Sequence, residues 1–452
     1  MIEGFRLFRF RGFEDSGWLQ LPRLTLLFGH NSSGKSSLLA ALLMLRQSLL
    51  NPDRSTPFVL TSDLGVDLGS YRDVVFEHQD DPLQPITIEV LLRLREPFTG
   101  LGPEIDRLFV RLRIGYDRHR KLTILKSVAI LDIDRAKLFE VTRKLRIPSN
   151  SSPWRITSDE FRTHELPRPT GIEWSNFLPL IGPTAQAYKS VHELCDVVAQ
   201  QFRQDVASLT HIGPLRTEPE RVYYFTGESV IEVGRRGENT YKFLAAVRYQ
   251  GRQEELDRSL NPWLKEFGYR LHIHVLGDTV LQIEVQELER GPDLQSYNLK
   301  DVGFGLSQVL PVLVQCYFGV GHRLILLEQP ELHLHPRAQA ALGDLLIDAL
   351  GEGHQFIIET HSEHLFLRLR RRIAETTVKP NETQYRFKPD DLAVYFVERW
   401  GGKSRVNEVT VNEVGQIPEP PEGFRRFFSD DYDEMMAIAE MMAAHAQQNQ
   451  DS

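Results

Sequence analysis

At 452 residues the chain is long enough for a large α/β core with an insertion, or for two domains. Hydrophobic residues make up 41% and charged residues 25%, as in ordinary soluble globular proteins. A net charge of −9 argues against coating nucleic acid by bulk electrostatics, while leaving room for a local basic surface.

The opening MIEGFRLFRFRGF interleaves charged and apolar residues and lacks the apolar core of a signal peptide. Residues 3–13 read as a strand, with Phe5, Leu7 and Arg9 on one face and Arg6, Phe8 and Phe10 on the other. A second strand, Leu24–Phe28, runs into a Gly-rich loop. Lys35–Leu50 then has helical spacing, its buried face marked by Leu38, Leu39, Leu42, Leu45 and Leu49. Residues 85–94 and 107–133 read as further strands, and 134–210 as mixed and mostly helical, broken by SNSSPW at 149–154. After a turn-rich block at 211–225, residues 233–244 open a helix. Strand and helix then alternate through Leu281–Val285, Leu306–Phe318, Leu324–Leu327, Ala338–Leu350, Phe356–Glu359, His361–Ile373 and Leu392–Val397. The longest apolar stretch, around Val309–Val320, contains Gln315 and is too short to cross a bilayer, so no membrane is expected. Cys195 and Cys316 have no ligand spacing and read as buried small hydrophobes of a cytoplasmic protein. Three basic clusters, Arg6/Arg9/Arg11, Arg107–Lys121 and Arg368/Arg370/Arg371/Arg372, read first as solvated faces.

The loop Gly29–His30–Asn31–Ser32–Ser33–Gly34–Lys35–Ser36 fits the phosphate-binding pattern G-x-x-x-x-G-K-[ST], with Ser37 just inside the helix. Its glycines let backbone N–H groups curl around phosphates, and the helix N-terminus adds its positive end. Lys35, expected in an exposed loop, would reach the β- and γ-phosphates of ATP, and the Ser36 hydroxyl would ligate Mg²⁺. A second element, RLILLEQPELHLHP (323–336), is an apolar strand ending in an acid, Glu328, placed to hold the Mg²⁺ shell.

Glu-x-Pro-Glu-x-x-Leu-His-Pro after an apolar strand resembles the Walker B and D-loop region of OLD-type and RecF-like ABC ATPases. FIIETHSEHL (356–365) is similar to their switch-histidine strand, with His361 as the γ-phosphate sensor. LKDVGFGLSQVLPVL (299–313) is similar to a divergent ABC signature. The resemblance implies an α/β fold: a P-loop NTPase, ABC-ATPase head of the SMC/RecF/OLD-like group, with a mixed sheet, an N-terminal antiparallel β lobe and an inserted lid. It implies a homodimer closed by ATP and Mg²⁺, in which Gly303, Gly305 and Ser307 face the nucleotide of the partner chain. A separately encoded effector, a nuclease among the options, in genome defence or DNA repair follows by analogy alone, and DNA stays an open partner. The matching division is an N-terminal lobe at 1–100, a lid or arm at 101–210, a C-terminal lobe at 211–425 and a helical tail at 426–452.

One position departs from the family. The Glu that usually polarises the attacking water is Gln329, and an amide orients water without accepting its proton. Hydrolysis is therefore expected to be slow, with Glu331 and His361 as candidate bases. Two rival readings remain: an ATP-binding scaffold with negligible hydrolysis, and a transporter ATPase subunit, disfavoured by the divergent signature. His333, His335, His361 and His364 match no common zinc spacing. A fused Toprim nuclease, suggested by VYFVERW (394–400) and by Asp431 and Asp433, is disfavoured because too few residues remain to build it.

Overall fold

The computed structural model describes residues 1–143, 154–157, 172–181 and 189–428, except 63–64, 82, 103, 229, 231, 278, 289–294 and 319–322. The tail and the pair Asp431 and Asp433 lie outside the described residues, as do residues 149–153.

An antiparallel sheet is built from β1 (Ile2–Phe10), β2 (Phe13–Asp15), β3 (Leu19–Gln20), β5 (Ile86–Phe98), β6 (Ile105–Asp117), β7 (Leu122–Leu131), β8 (Lys137–Arg143) and β9 (Trp154–Thr157). Its order is β2-β1-β5-β6-β7-β8-β9, with β3 also on β1. The chain leaves this sheet at β4 (Leu24–Phe28), which enters a mixed sheet with β12 (Thr210–Ile212), β17 (Leu324–Glu328), β18 (Gln355–Glu359), β19 (Leu392–Trp400) and β20 (Lys403–Glu408). That sheet runs β12-β17-β18-β4-β19-β20, parallel except for the last pair. A hairpin, β10 (Ile172–Ser175) and β11 (Leu178–Ile181), and a small sheet of β13 (Tyr223–Tyr224), β14 (Tyr269–Val275), β15 (Val280–Glu287) and β16 (Ser296–Asn298) complete the strands. The helices are α1 (Lys35–Leu50), α2 (Tyr71–Val74), α3 (Lys189–Ala207), α4 (Thr240–Tyr249), α5 (Gln253–Ser259), α6 (Asn261–Glu266), α7 (Phe304–Phe318), α8 (Pro336–Gly351) and α9 (Glu363–Val378). A last helical segment spans 422–428.

The mixed sheet is the middle layer of a sandwich. Its strands are apolar on both faces because both are covered. Leu27, Leu324, Leu326, Ile357 and Val397 face a core shared with α1, α3 and the antiparallel sheet. Leu26, Phe28, Ile325, Leu327, Phe356 and Ile358 face a second core with α4 and α6 to α9. Helix α1 is wedged between the two sheets, so burial extends beyond the five leucines to Ala40, Ala41, Leu43, Met44, Gln47 and Ser48. A leucine stripe marks one face of a helix; here the opposite face is covered as well.

Two further differences have local causes. Arg9 takes a left-handed φ of 53°, which breaks the strand alternation and turns Phe10 inward with Phe5 and Leu7. The stretch 134–210, expected to be mostly helical, carries strands β8 to β11 before its one long helix, α3. Charged residues interleaved with apolar ones at 137–143 give a strand that extends the sheet and buries Leu138, Phe139 and Val141. The boundary drawn at residue 100 thus falls between β5 and β6, inside one sheet. Among the described residues no helix is long and apolar enough to cross a membrane. Both cysteines are buried, which pushes their thiols up.

Candidate nucleotide site

The parallel strands point their C-terminal ends the same way, and the connections leaving β4, β17 and β18 meet there, the usual place for a ligand in such sheets. Strand β4 delivers Gly29–Ser36, β17 delivers Glu328, and β18 between them delivers Glu359 and His361.

Two glycines of the loop are dictated by packing as well as by phosphate geometry. Gly29 has a φ of 143°, and a Cβ there would lie 2.0 Å from the Val397 carbonyl of β19. Gly34 has a φ of 118° and caps α1, where a Cβ would meet Ser404 Oγ of β20 at 2.7 Å. Both conformations are ones that L-residues avoid. His30, Asn31 and Ser32 are exposed at the loop tip, Ser32 with a φ of 62°, and Ser37 lies in the first helical turn. Ser33 is buried, and its Oγ has no hydrogen-bond partner.

Lys35 is not exposed as expected: it is only 3% accessible. Its Nζ donates to the carbonyls of Gly29 at 2.7 Å and His30 at 3.0 Å, and stands 3.7 Å from Glu359 Oε1. The ammonium thus braces the loop from inside. Burial lowers its pKa, against the pull of Glu359. Ser36 is exposed and donates its hydroxyl to Glu359 Oε2 at 2.9 Å.

Glu359 is held between the two P-loop residues that carry the chemistry. Burial raises its pKa, opposed chiefly by Lys35 and then by the Ser36 hydrogen bond, with Glu328 adding to the rise. Glu328 is its register partner on β17. From the other side of β17, His211 of β12 places Nε2 2.6 Å from Glu328 Oε1. Arg216, almost wholly buried, donates to the Gln308 carbonyl of α7 at 2.8 Å and to the Glu328 carbonyl at 3.4 Å. Burial lowers its pKa to about 10, against the attraction of Glu331.

After β17 the chain turns sharply, with Gln329 at φ 44° and His333 at φ 64°. Such left-handed backbone costs on the order of 1 kcal/mol per residue. The turn is locked by the Gln329 N–H on the Glu359 carbonyl at 2.7 Å. Glu331 is buried and turned inward, accepting the His361 backbone N–H at 2.8 Å, and burial raises its pKa. The His361 ring is half-buried, Nε2 without a partner. Its pKa is lowered by burial, then by Lys35 and His30. Phe427, from the 422–428 segment, covers this wall, its ring 5.3 Å from His30 and 5.8 Å from His361. Phe424 and Phe428 anchor the segment on Phe28, 5.9 and 5.3 Å away.

Of the residues expected to form a signature, Gly303 and Gly305 line a groove of about 550 Å³ with Leu306, His333, Leu334 and His335. A Cβ on Gly303 would meet nothing within 4 Å, whereas one on Gly305 would meet the His333 carbonyl at 2.7 Å. Ser307 is buried beneath them.

Several expected polar residues have structural employment. His335 caps α8 through Nδ1 on the Ala338 N–H at 3.3 Å, and Ser362 caps α9 on the Leu365 N–H at 3.0 Å. Among the described residues no group of three or more His, Cys, Asp or Glu is placed to hold a metal ion. The basic helix α9 is satisfied internally: Arg368 and Arg372 pair with Asp344, and Arg371 with Glu375. Arg6 pairs with Asp15 and Arg107 with Glu3. Glu359, His211, Arg216 and Phe427 are the site residues that motif reading misses. An acid ending the buried strand FIIE was the one signal available in the sequence.

This arrangement of loop, helix and acid-tipped strands defines a P-loop ATPase-type domain. A family model described as "AAA domain, putative AbiEii toxin, Type IV TA system" matches residues 24–368, most of the chain, and the chain belongs to that family. No curated protein matches it. Similar solved structures include the SmcHead bound to the C-winged helix domain of ScpA (12% identity, 90% of this chain and 98% of that chain, TM-score 0.44). The SMC head domain from Thermotoga maritima is similar at 10% identity (91% and 99% covered, TM-score 0.39). So is an Smc head with an extended coiled coil bound to the C-terminal domain of ScpA derived from Pyrococcus furiosus, at 10% identity (98% and 99% covered, TM-score 0.41).

Proposed function

We propose that the chain binds Mg²⁺ and ATP between the P-loop and the ends of β17 and β18, hydrolyses it slowly, and closes as a homodimer around the nucleotide. The observation that carries the reading is the convergence of Lys35, Ser36, Glu328 and Glu359 at one set of strand ends. Oxygen donors of this kind, a hydroxyl and carboxylates, suit Mg²⁺, and the unpartnered buried Ser33 Oγ marks a loop that has polar capacity left for phosphate. The cation would neutralise phosphate charge. Lys35 would exchange loop carbonyls for phosphate oxygens, and the exposed Ser36 hydroxyl would help hold the cation. His361, kept neutral by burial, offers Nε2 to the terminal phosphate. Gln329 orients water but takes no proton, which keeps turnover slow.

The groove at Gly303 and Gly305 is open to a second copy, and closure would bury the nucleotide between chains. Such a switch would act on a separate effector in genome defence or DNA repair; the OLD-like grouping rests on the motif resemblance. Calorimetry of wild type with ATP, with and without Mg²⁺, tests the first step. Micromolar binding is expected. No binding under either condition would end the ATPase reading.

A further inference from the structure

The family pattern assigns one acid to the end of the Walker B strand and a second to the next residue. In this chain the next residue is Gln329, so one carboxylate is missing. A carboxylate is nevertheless present nearby, on the neighbouring strand. Glu359 ends β18, in register with Glu328, and is only 7% exposed. Adjacent strands lie about 4.8 Å apart, so the two acids stand side by side.

Setting a buried carboxylate beside a second, half-buried one is costly unless a cation offsets them. Lys35 is the near cation, but its closest contacts are the Gly29 and His30 carbonyls, at 2.7 and 3.0 Å against 3.7 Å to Glu359. His211 approaches Glu328 alone, from the side of β17 away from Glu359. Glu359 is therefore left with Ser36 Oγ as its shortest side-chain contact, at 2.9 Å. That hydroxyl is the group of this loop that a divalent cation would claim. The Gln329 N–H donates to the Glu359 carbonyl at 2.7 Å, which fixes the end of β18 against the turn that follows Glu328. Ser33, 2% exposed with an unpartnered Oγ, marks the same loop as built for a ligand.

We propose that Glu359 is a cation-anchoring residue, which joins Glu328 and Ser36 in holding a divalent metal ion at the ends of β17 and β18. The proposal rests on the ATPase reading above. A residue that merely held the Ser36 rotamer would support nucleotide binding whether or not metal is present. A cation anchor matters only when metal is there.

The test measures binding of a non-hydrolysable ATP analogue to the full chain, in EDTA and across a Mg²⁺ titration, for wild type, Glu359→Gln and Glu359→Asp. Binding of Mn²⁺ followed by electron paramagnetic resonance provides a second readout. Glu359→Gln should raise the Mg²⁺ needed for half-maximal binding by about tenfold or more, and weaken Mn²⁺ binding similarly, as losses around metal ligands commonly do. Affinity in EDTA should be unchanged or higher, since one negative charge facing the phosphates is gone. Glu359→Asp, which keeps the charge, should fall between, and it carries the test if the Gln variant does not fold. An unchanged metal requirement, or an equal loss in EDTA and Mg²⁺, would overturn the proposal. Failure of wild type to bind the analogue would instead overturn the ATPase reading.

Discussion

On the P-loop side of the ATP face, Lys35, Ser36, Glu328 and Glu359 each have a partner within the chain, and the glycines fit against β19 and β20. On the side read as a signature, a Cβ on Gly303 would meet nothing within 4 Å, beside a groove of about 550 Å³. The first region is complete enough to receive a nucleotide alone. The second, in the proposed reading, waits for another molecule. Nucleotide binding and assembly should therefore be separable by mutation, although the turn at 329–335 and Arg216, which donates to both Gln308 and Glu328, join the two regions.

Lys35→Ala should give the largest effect on the first region. Loss of a charged donor to phosphate typically costs about 1.5–3 kcal/mol, or roughly 10- to 100-fold in affinity. Because Lys35 is buried and braces two loop carbonyls, the variant should also melt lower without nucleotide, leaving Glu359 with no counter-ion. Calorimetry and thermal melting check both; an unchanged affinity would remove Lys35 from the site.

Glycine replacements sharpen the other region. Gly305→Ala should destabilise the free chain by about 1–3 kcal/mol, since its Cβ presses on the His333 carbonyl, while Gly303→Ala should be near neutral. Equal melting temperatures for the two would mean the groove is more yielding than its geometry indicates. A bulky probe of assembly therefore belongs at Gly303, as a bulky residue at Gly305 would disturb the chain's own turn first.

Turnover links the regions. Gln329→Glu restores a base at the turn and should raise phosphate release above wild type, by several-fold or more. A steep fall would show that the amide itself places the water.

The smallest effect concerns pH. Burial raises the Glu331 pKa above the ordinary carboxyl value of 4.5, so the folded chain holds a proton that the unfolded chain has already released. This contribution to stability is complete below about pH 4.5 and is lost as pH rises through the folded pKa. Glu331→Gln cannot titrate and should flatten that decline in denaturant-unfolding measurements. An identical slope would show that Glu331 is not strained by its burial.

How much of this could be read from sequence depends on range. The P-loop is legible because its glycines, lysine and serine are contiguous, and α1 begins at Lys35 because Gly34 takes a conformation that ends the loop. Strand β17 is legible because four apolar residues run into an acid. His211 and Arg216 were not, since their partner Glu328 stands 117 and 112 positions away. Glu359 resembled the ordinary end of a buried strand, and only the strand order β17-β18-β4 brings it to Ser36. Phe427 reaches His30 across almost the whole chain. Strand β8 was hidden because interleaved charges mimic a solvated helix until a sheet edge is there to receive it, and β10 and β11 because a two-stranded hairpin of four-residue strands has too short a pattern to read.

The central claim is that nucleotide joins two copies through the open signature side. Sedimentation velocity of the wild type and of Gly303→Arg, each with and without Mg²⁺ and ATP, tests it most directly. The account predicts a monomer without nucleotide, a dimer with it, and a Gly303→Arg protein that binds ATP with wild-type affinity yet stays monomeric. A wild type that remains monomeric with ATP saturated, or a Gly303→Arg that dimerises equally well, would contradict it.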